Sequence, residues 1–151
     1  MVLFDRFAKF RARYAIIAGK PLLWKTIMNP DDIVVVVEPE YLADQSEPAK
    51  RRFLFAYTVR ITNNSHQTVQ VVSRQWVITD GEQRVREVGG LGVVGKQPLL
   101  GPGESFEYTS GCPLNTAVGT MRGTYHCVAE NGLPFQVPID EFMLAAPRTL
   151  H

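Results

Sequence analysis

Three glycines near the middle of the chain, followed directly by a lysine, have the spacing that phosphate-binding loops use. Gly90, Gly92 and Gly95 satisfy the pattern G-x-G-x-x-G, and Lys96 comes next. In nucleotide-binding folds this pattern joins a strand to a helix, and the free N–H groups at the helix N-terminus hold the phosphate. These four residues are the candidate ligand-binding site of the sequence, to which Arg74 could add positive charge.

The residues that follow the pattern exclude that helix. The early turns of any helix that began near Lys96 would contain four breakers, namely Pro98, Gly101, Pro102 and Gly103, and both residue types disfavour helix interiors. The pattern is therefore predicted to form a loop. In a loop the glycines either provide backbone conformations with positive φ, or they form a nest of N–H groups that binds a phosphate or a nucleotide.

Metal-ligating residue types are present but scattered. His66 is predicted in a turn, and His126 and Cys127 are neighbours in a predicted strand. Since successive strand residues point to opposite faces, His126 and Cys127 cannot bind one ion together. The sequence predicts no metal site and no cofactor.

Motifs of nucleophilic and metal-dependent catalysis do not occur. The chain contains no G-x-S-x-G, no H-E-x-x-H, and no Cys–His pair whose spacing suggests an activated nucleophile. Ser110, Gly111 and Cys112 resemble a nucleophile patch, but they are predicted to end a strand, with Cys112 packed as a small apolar group. We expect no enzymatic activity.

The elements that must position these residues are strands, because the hydrophobic period from Ile33 onward is two. Turn residues separate the strands every eight to fifteen residues and no helical pattern lies between them. This predicts seven to eight antiparallel strands in an all-β, immunoglobulin- or fibronectin type III-like sandwich, with a barrel as the alternative. The predicted strands are Ile33–Val37, Phe53–Thr62, Val69–Thr79, Arg84–Val88, Ser105–Thr109, Gly123–Val128, Phe135–Ile139 and Phe142–Leu144.

The charge is distributed unevenly along the chain. A chain of 151 residues with 45% hydrophobic content can form one core. The first 27 residues carry six basic side chains against Asp5 alone, a net charge of +5; since the whole chain carries +1, residues 28–151 carry −4. An acidic body argues against nucleic-acid binding, which requires a positive surface.

The cysteines and the hydropathy indicate the compartment. Cys112 and Cys127 are too few for a disulfide framework, so a reducing, cytoplasmic location is expected. No run reaches the roughly 18 apolar residues of a membrane span. We expect a soluble protein without stable membrane insertion.

The N-terminal segment is predicted to be a short basic amphipathic helix. Its apolar residues follow spacings of four and three and therefore share one helical face: Leu3, Phe7, Phe10, Tyr14 and Ile17. Such a helix can lie on an anionic membrane, act as a transit peptide or pack on the domain. It can also be upstream sequence attached to a domain that starts at Met28, and we favour this reading, with residues 1–27 as an extension and 28–151 as the domain.

Several runs in series resemble the ApaG family between Ile33 and Leu144. They are Val37–Leu42, Phe55–Val59, Ser73–Asp80, Gly92–Pro98 and Pro102–Gly111. The resemblance implies a fibronectin-like β-sandwich close in length to residues 28–151. The chain differs at Leu91, where many relatives carry an acidic residue.

The resemblance implies no established reaction. Bacterial ApaG proteins are linked by name to cobalt resistance and magnesium efflux, and related eukaryotic domains look like interaction modules. We expect a non-catalytic protein-interaction module with an unidentified protein partner and an indirect link to divalent cations. Exposed edge strands permit a homodimer without requiring one. The alternative is a phosphate- or nucleotide-binding protein that uses the glycine-rich loop.

Overall fold

The computed structural model describes residues 28–148, which form an all-β sandwich as predicted. The basic helix predicted within residues 1–27 lies outside the described residues. Three short 3₁₀ turns lie at Pro30–Asp32, Ala43–Gln45 and Pro48–Lys50. The eight strands are β1 Ile33–Tyr41, β2 Phe53–Asn63, β3 Val69–Asp80, β4 Val85–Leu91, β5 Leu99–Leu100, β6 Ser105–Leu114, β7 Val118–Ala129 and β8 Pro134–Ala145.

The strands form two separate antiparallel sheets, so the alternative of a closed barrel is wrong. One sheet has the order β1-β2-β6, and the other has the order β4-β3-β7-β8, with the short β5 paired to β3 beside β4. The two sheets pack face to face through alternate residues of each strand. On β2, for example, Phe55, Val59 and Ile61 are buried while Arg60 is exposed.

Several strands are longer than the sequence predicted. β6 continues through Cys112 to Leu114, so the Ser110-Gly111-Cys112 run lies within a strand and does not end one. The two segments predicted on either side of Asp140 are one strand, β8, opposite an irregularity between Met121 and Gly123 on β7. The sequence predicts strand ends at polar residues and glycines because their β-propensity is low. In the structure, the hydrogen-bonded pairing between strands continues through these residues.

An aromatic cluster fills the centre of the core around Trp76, which is 1% exposed. Its indole ring makes edge contacts with Tyr57 at 5.3 Å, Phe142 at 5.9 Å and Tyr125 at 6.4 Å between ring centroids. The hydroxyl groups of Tyr125 on β7 and Tyr108 on β6 are hydrogen-bonded to each other. The cluster therefore joins the two sheets through both packing and a buried polar contact.

Candidate functional site

The glycine pattern is divided between a strand and a tight turn. Gly90 lies in β4, paired with Arg74 of β3, and the other two glycines lie beyond the strand. Val93 and Lys96 close the turn through two backbone hydrogen bonds of 2.7 and 3.1 Å. The residues between them, Val94 and Gly95, have φ of 49° and 75°, as the type I′ hairpin turn requires.

Most of the N–H groups that would form an anion nest donate within the chain. The N–H of Gly92 donates to the carbonyl of Val72 at 2.7 Å, and the N–H groups of Val93 and Lys96 close the turn. No helix follows the pattern within residues 28–148. The side chain of Lys96 is exposed. Phosphate binding by this loop stays a prediction, and the structure brings only Gly92, Gly95 and Lys96 together in it.

Gly90 makes room for an arginine. A Cβ on Gly90 would lie 3.1 Å from Nη1 of Arg74, so the guanidinium group packs on the bare backbone of β4. The same Nη1 donates to the carbonyl oxygens of Leu91 at 3.2 Å and Gly92 at 2.9 Å. The strand end and the first residue of the loop thus fix the guanidinium group of Arg74.

This guanidinium group borders a cleft of about 230 Å³ between the free edges of the two sheets. β4 is an edge strand of one sheet and β6 is an edge strand of the other. The side chains of Tyr57, Arg74, Trp76 and Arg86 line the cleft together with Ser110 and Cys112. The cleft exists because Ser110, a small polar residue, faces inward on β6 beside larger buried neighbours.

Arg86 crosses the mouth of the cleft from β4 to β6. Its Nη2 donates to the carbonyl oxygen of Pro113 at 2.6 Å and lies 3.6 Å from the Sγ of Cys112. Neither Arg74 nor Arg86 forms an ion pair within residues 28–148; the basic residues that do are Lys50, Arg51, Arg52 and Arg84. The two guanidinium groups are therefore positive charges without a carboxylate partner in the described part of the chain.

The indole Nε1 of Trp76 is buried and has no hydrogen-bond partner among the described residues. A Cβ on Gly123 of β7 would lie 3.0 Å from Cε3 of Trp76, so this edge of the indole faces β7. Trp76 also lines the cleft, so this unpaired donor belongs to a residue of the cleft wall.

Burial and the arginines act in opposite directions on the acidic groups of the cleft. Burial raises the pKa of Tyr57, which a hydrogen bond from Ser110 and the charge of Arg74 partly offset. Burial also raises the pKa of the Cys112 thiol, with Arg86 acting against it. Both groups stay protonated near neutral pH, so the cleft offers hydroxyl and guanidinium donors.

The chain is similar to known proteins of one family. The ApaG domain family matches residues 43–129, which is more than half of the chain. The chain belongs to the ApaG family. It is 66% identical over 124 residues to Protein ApaG from Bordetella pertussis, covering 82% of this chain and 95% of that protein. Protein ApaG from Ralstonia nicotianae is 57% identical over 124 residues, with 82% and 100% covered.

Solved structures agree with the ApaG assignment and the fold. The crystal structure of a Bordetella pertussis protein named ApaA is 67% identical in sequence and superposes with a TM-score of 0.76. The superposition covers 78% of this chain and 96% of that chain. The predicted family and sandwich are thereby confirmed, and the names of these relatives state no reaction for the ApaG domain.

The cleft was not among the predicted sites, although the sequence contained a signal for it. Arg74 alternates with Trp76 and Ile78 on the face of β3 that points into the core, and arginine is rarely placed on such a face without a partner. Arg86 of β4 pairs with Ile78 and therefore lies on the same, inward side of the sheet. Within residues 28–148 no group of three or more metal-ligating side chains comes together, and no helix there is long and apolar enough to cross a membrane.

Proposed function

We propose that this ApaG domain is a non-catalytic protein-interaction module that binds an extended peptide of a partner along the free edge of β4. The observation that supports the proposal is the exposure of β4. All seven residues of β4 are exposed, and among the described strands the backbone of β4 pairs only with β3. An exposed edge strand is a ready template for an added strand.

The register of the β3–β4 ladder identifies the backbone groups that would receive the peptide. The N–H of Gly92 donates to the carbonyl of Val72, and the N–H of Asp80 donates to the carbonyl of Arg84. The pairing between these two bonds runs without a shift. Since hydrogen-bonded positions alternate along an antiparallel strand, the even-numbered residues of β4 face β3. The N–H and C=O groups of the odd-numbered residues, including Glu87 and Gly89, face outward.

The edge also presents apolar side chains. Val85 is 62% exposed, Leu91 at the other end of β4 is 76% exposed, and Val94 in the adjoining turn is 58% exposed. Exposed apolar residues at both ends of a free edge are a feature of surfaces that a partner covers. An extended segment paired with β4 would cover Val85 and Leu91 while its backbone satisfies the outward groups.

A proline scan with a matched control tests the proposal. Glu87→Pro removes one outward N–H of β4 and leaves the bonds to β3 in place, as proline on an edge strand allows. Glu107→Pro makes the same change on β6. There the backbone carbonyl of Glu104 accepts from the backbone N–H of Asn63, so the even-numbered residues bond to β2 and the N–H groups of the odd-numbered residues face outward. Peptides selected from a random displayed library on the full chain are then titrated against both variants.

We expect selected peptides to bind the wild type and Glu107→Pro equally and to lose at least tenfold in affinity for Glu87→Pro. Amide exchange at Glu87 and Gly89 should slow when peptide is bound. Peptides that bind Glu87→Pro as tightly as the wild type would contradict the proposal. A concentration-dependent dimer that Glu87→Pro abolishes would instead assign the edge to a second copy of the chain.

The family's link to cobalt and magnesium would then be indirect. In this proposal the cation effect comes from contact with a cytoplasmic regulator or with the cytoplasmic face of a transporter, and the domain itself does not bind the ion. The net charge of −4 on residues 28–151 is compatible with a protein partner and unfavourable for nucleic acid.

A further inference from the structure

We propose that the cleft between β4 and β6 is an oxyanion-binding site, in which a carboxylate or phosphoryl group is held by Arg74, Arg86 and the indole N–H of Trp76. This site is separate from the turn at Gly92–Lys96. The inference does not depend on the proposed peptide edge, because a small anion can enter the cleft without a strand paired to β4.

The cleft carries positive charge without a balancing carboxylate in its lining. Its lining contains two arginines and no aspartate or glutamate. Within residues 28–148, the bonds to carbonyl oxygens use Nη1 of Arg74 and Nη2 of Arg86. The other nitrogens of both guanidinium groups remain for a ligand, since each group carries five N–H donors. Paired arginine donors are the usual means of holding carboxylate and phosphate oxygens.

The indole N–H of Trp76 is a buried donor without a partner among the described residues. A buried N–H without a partner costs about 1–3 kcal/mol, and tryptophan Nε1 can act only as a donor. Phenylalanine in place of Trp76 would provide much of the apolar contact with Tyr57 and Phe142 without this cost. If the ring turns toward the cleft when an anion binds, an acceptor oxygen of that anion would satisfy the N–H.

The rest of the cleft lining combines hydroxyl groups with apolar side chains. Ser110 and Tyr57 add hydroxyl groups, and Ile78 and Met121 add apolar walls. Apolar walls lower the local dielectric constant and strengthen the attraction between an anion and the arginines. The volume of about 230 Å³ is smaller than that of typical pockets for drug-sized ligands, about 300 Å³ and above. The site therefore suits the acidic group of a ligand and not a whole nucleotide.

Arg74 is held in a fixed position by its neighbours. Its guanidinium group lies on Gly90 and is held by the carbonyls of Leu91 and Gly92. A guanidinium group that is fixed before binding loses less side-chain entropy when an anion arrives. Two glycines of the G-x-G-x-x-G pattern thus contribute to anion binding indirectly, through an arginine and not through their own N–H groups.

The indole proton of Trp76 provides a direct measurement. The full chain has two tryptophans, Trp24 and Trp76, and the Nε1–H resonance of Trp76 is assigned by its absence from the spectrum of Trp76→Phe. Sodium acetate and sodium phosphate are titrated separately, with sodium chloride at matched ionic strength as the control. We expect a saturable downfield shift of the Trp76 Nε1–H resonance with acetate, with phosphate or with both, and none with chloride.

The variants separate a site from general salt effects. Arg74→Gln and Arg86→Gln should each weaken the affinity by roughly tenfold or more, the equivalent of one charge-assisted hydrogen bond. Arg74→Lys keeps the charge and should give an intermediate loss. Arg60→Gln, on the outer face of the other sheet, is the matched control and should leave the affinity unchanged. Dispersed amide spectra verify the fold of each variant.

Each result of these titrations either supports or overturns the proposed anion site. Saturation by acetate alone assigns the site to carboxylates, saturation by phosphate alone assigns it to phosphoryl groups, and each supports the proposal. It is overturned if neither anion gives a saturable shift, if chloride gives the same shift, or if the Arg74 and Arg86 variants bind as the wild type does. Loss of peptide binding in Glu87→Pro leaves these results unaffected, so the two proposals can fail separately.

Discussion

The guanidinium group of Arg74 lies against the Cα of Gly90, so that a Cβ on this glycine would stand 3.1 Å from Nη1 of Arg74. The contact gives Gly90 a role that its place in a G-x-G-x-x-G pattern does not suggest. Glycine at this position leaves room for a side chain that approaches the backbone of β4. The three glycines of the pattern are therefore expected to respond differently to substitution.

Gly92→Ala should be the most destabilising of the three alanine substitutions. Gly92 has φ of 68°, and its Cβ would lie 2.4 Å from the carbonyl oxygen of Lys96, which is backbone and cannot move aside cheaply. We expect the free energy of unfolding to fall by about 2 kcal/mol or more, measured by urea denaturation.

Gly95→Ala and Gly90→Ala are the internal controls. Gly95 has φ of 75° but nothing within 4 Å of its Cβ, so only the left-handed backbone conformation is penalised, by about 1 kcal/mol. The Cβ of Gly90 meets the flexible end of Arg74, so Gly90→Ala should cost less than about 1 kcal/mol and should weaken anion binding in the cleft. Equal losses of stability in all three variants would contradict this assignment.

The sandwich could be predicted because its strands carry the period-two pattern that burial on one face imposes. β2 illustrates this, since Phe55, Tyr57, Val59 and Ile61 alternate with less buried residues and all four are in the core. The predicted strand Phe53–Thr62 is one residue short of the observed one. An alternating pattern of this kind is local to one strand, and it does not depend on which other strands pair with that strand.

The ends of the edge strands and the cleft could not be predicted in the same way. β4 continues through Gly89 and Gly90 because the ladder with β3 continues, although both residues are poor strand formers. The cleft depends on which edges of the two sheets lie together, and Ser110 and Arg86 are far apart in sequence. The alternation of residues along β3 places Arg74 on the inward face from the sequence alone. The sequence does not show which strand of the other sheet lies opposite it.

Gly123→Ala should destabilise the fold far more than Gly111→Ala. A Cβ on Gly123 would lie 2.4 Å from the carbonyl oxygen of Gln75 and 3.0 Å from the indole of Trp76, so both the β3–β7 ladder and the central tryptophan would have to shift. At Gly111, an exposed residue of β6, the nearest atom would be 3.7 Å away. We expect a loss of about 2–3 kcal/mol for the first and less than about 0.5 kcal/mol for the second.

Thermal denaturation followed by circular dichroism checks this difference. The indole contact makes a second readout available, since Gly123→Ala should also change the near-ultraviolet signal of Trp76 and Gly111→Ala should not. Similar melting temperatures for the two variants would show that the approach of β3 to β7 at Gly123 is looser than the structure has it.

The two cysteines should be almost unreactive in the native protein. Both are free and buried; burial raises the pKa of Cys127 to about 12 and also raises the pKa of Cys112. The thiolate is the reactive form, so a thiol reagent at pH 8 should react on the order of 100-fold more slowly than in denaturant. Cys112 borders the cleft and should react before Cys127, which the single variants Cys112→Ala and Cys127→Ala distinguish. Fast reaction of Cys127 in the native state would contradict its burial.

The hydrogen-bonded pair of Tyr108 and Tyr125 should make stability fall at alkaline pH. Burial raises the pKa of Tyr108 from the ordinary value of 10.0 to about 12, and burial also raises the pKa of Tyr125. Between pH 10 and 12 the unfolded chain therefore releases phenolic protons that the folded chain keeps. Since the unfolded state then binds fewer protons, the free energy of unfolding decreases as pH rises.

The loss attributable to Tyr108 should be complete near pH 12 and amount to about 2–3 kcal/mol, while below pH 10 its contribution is fully present. Tyr108→Phe should cost about 1–3 kcal/mol near neutral pH because it leaves the hydroxyl of Tyr125 buried without its partner. The double variant with Tyr125→Phe should cost less than the sum of the two single variants. It should also lose part of the alkaline decline, because no buried phenol of the pair remains to hold its proton. Urea denaturation of all four proteins from pH 7 to 12 provides the comparison, and an unchanged alkaline decline in the double variant would assign the effect to other groups.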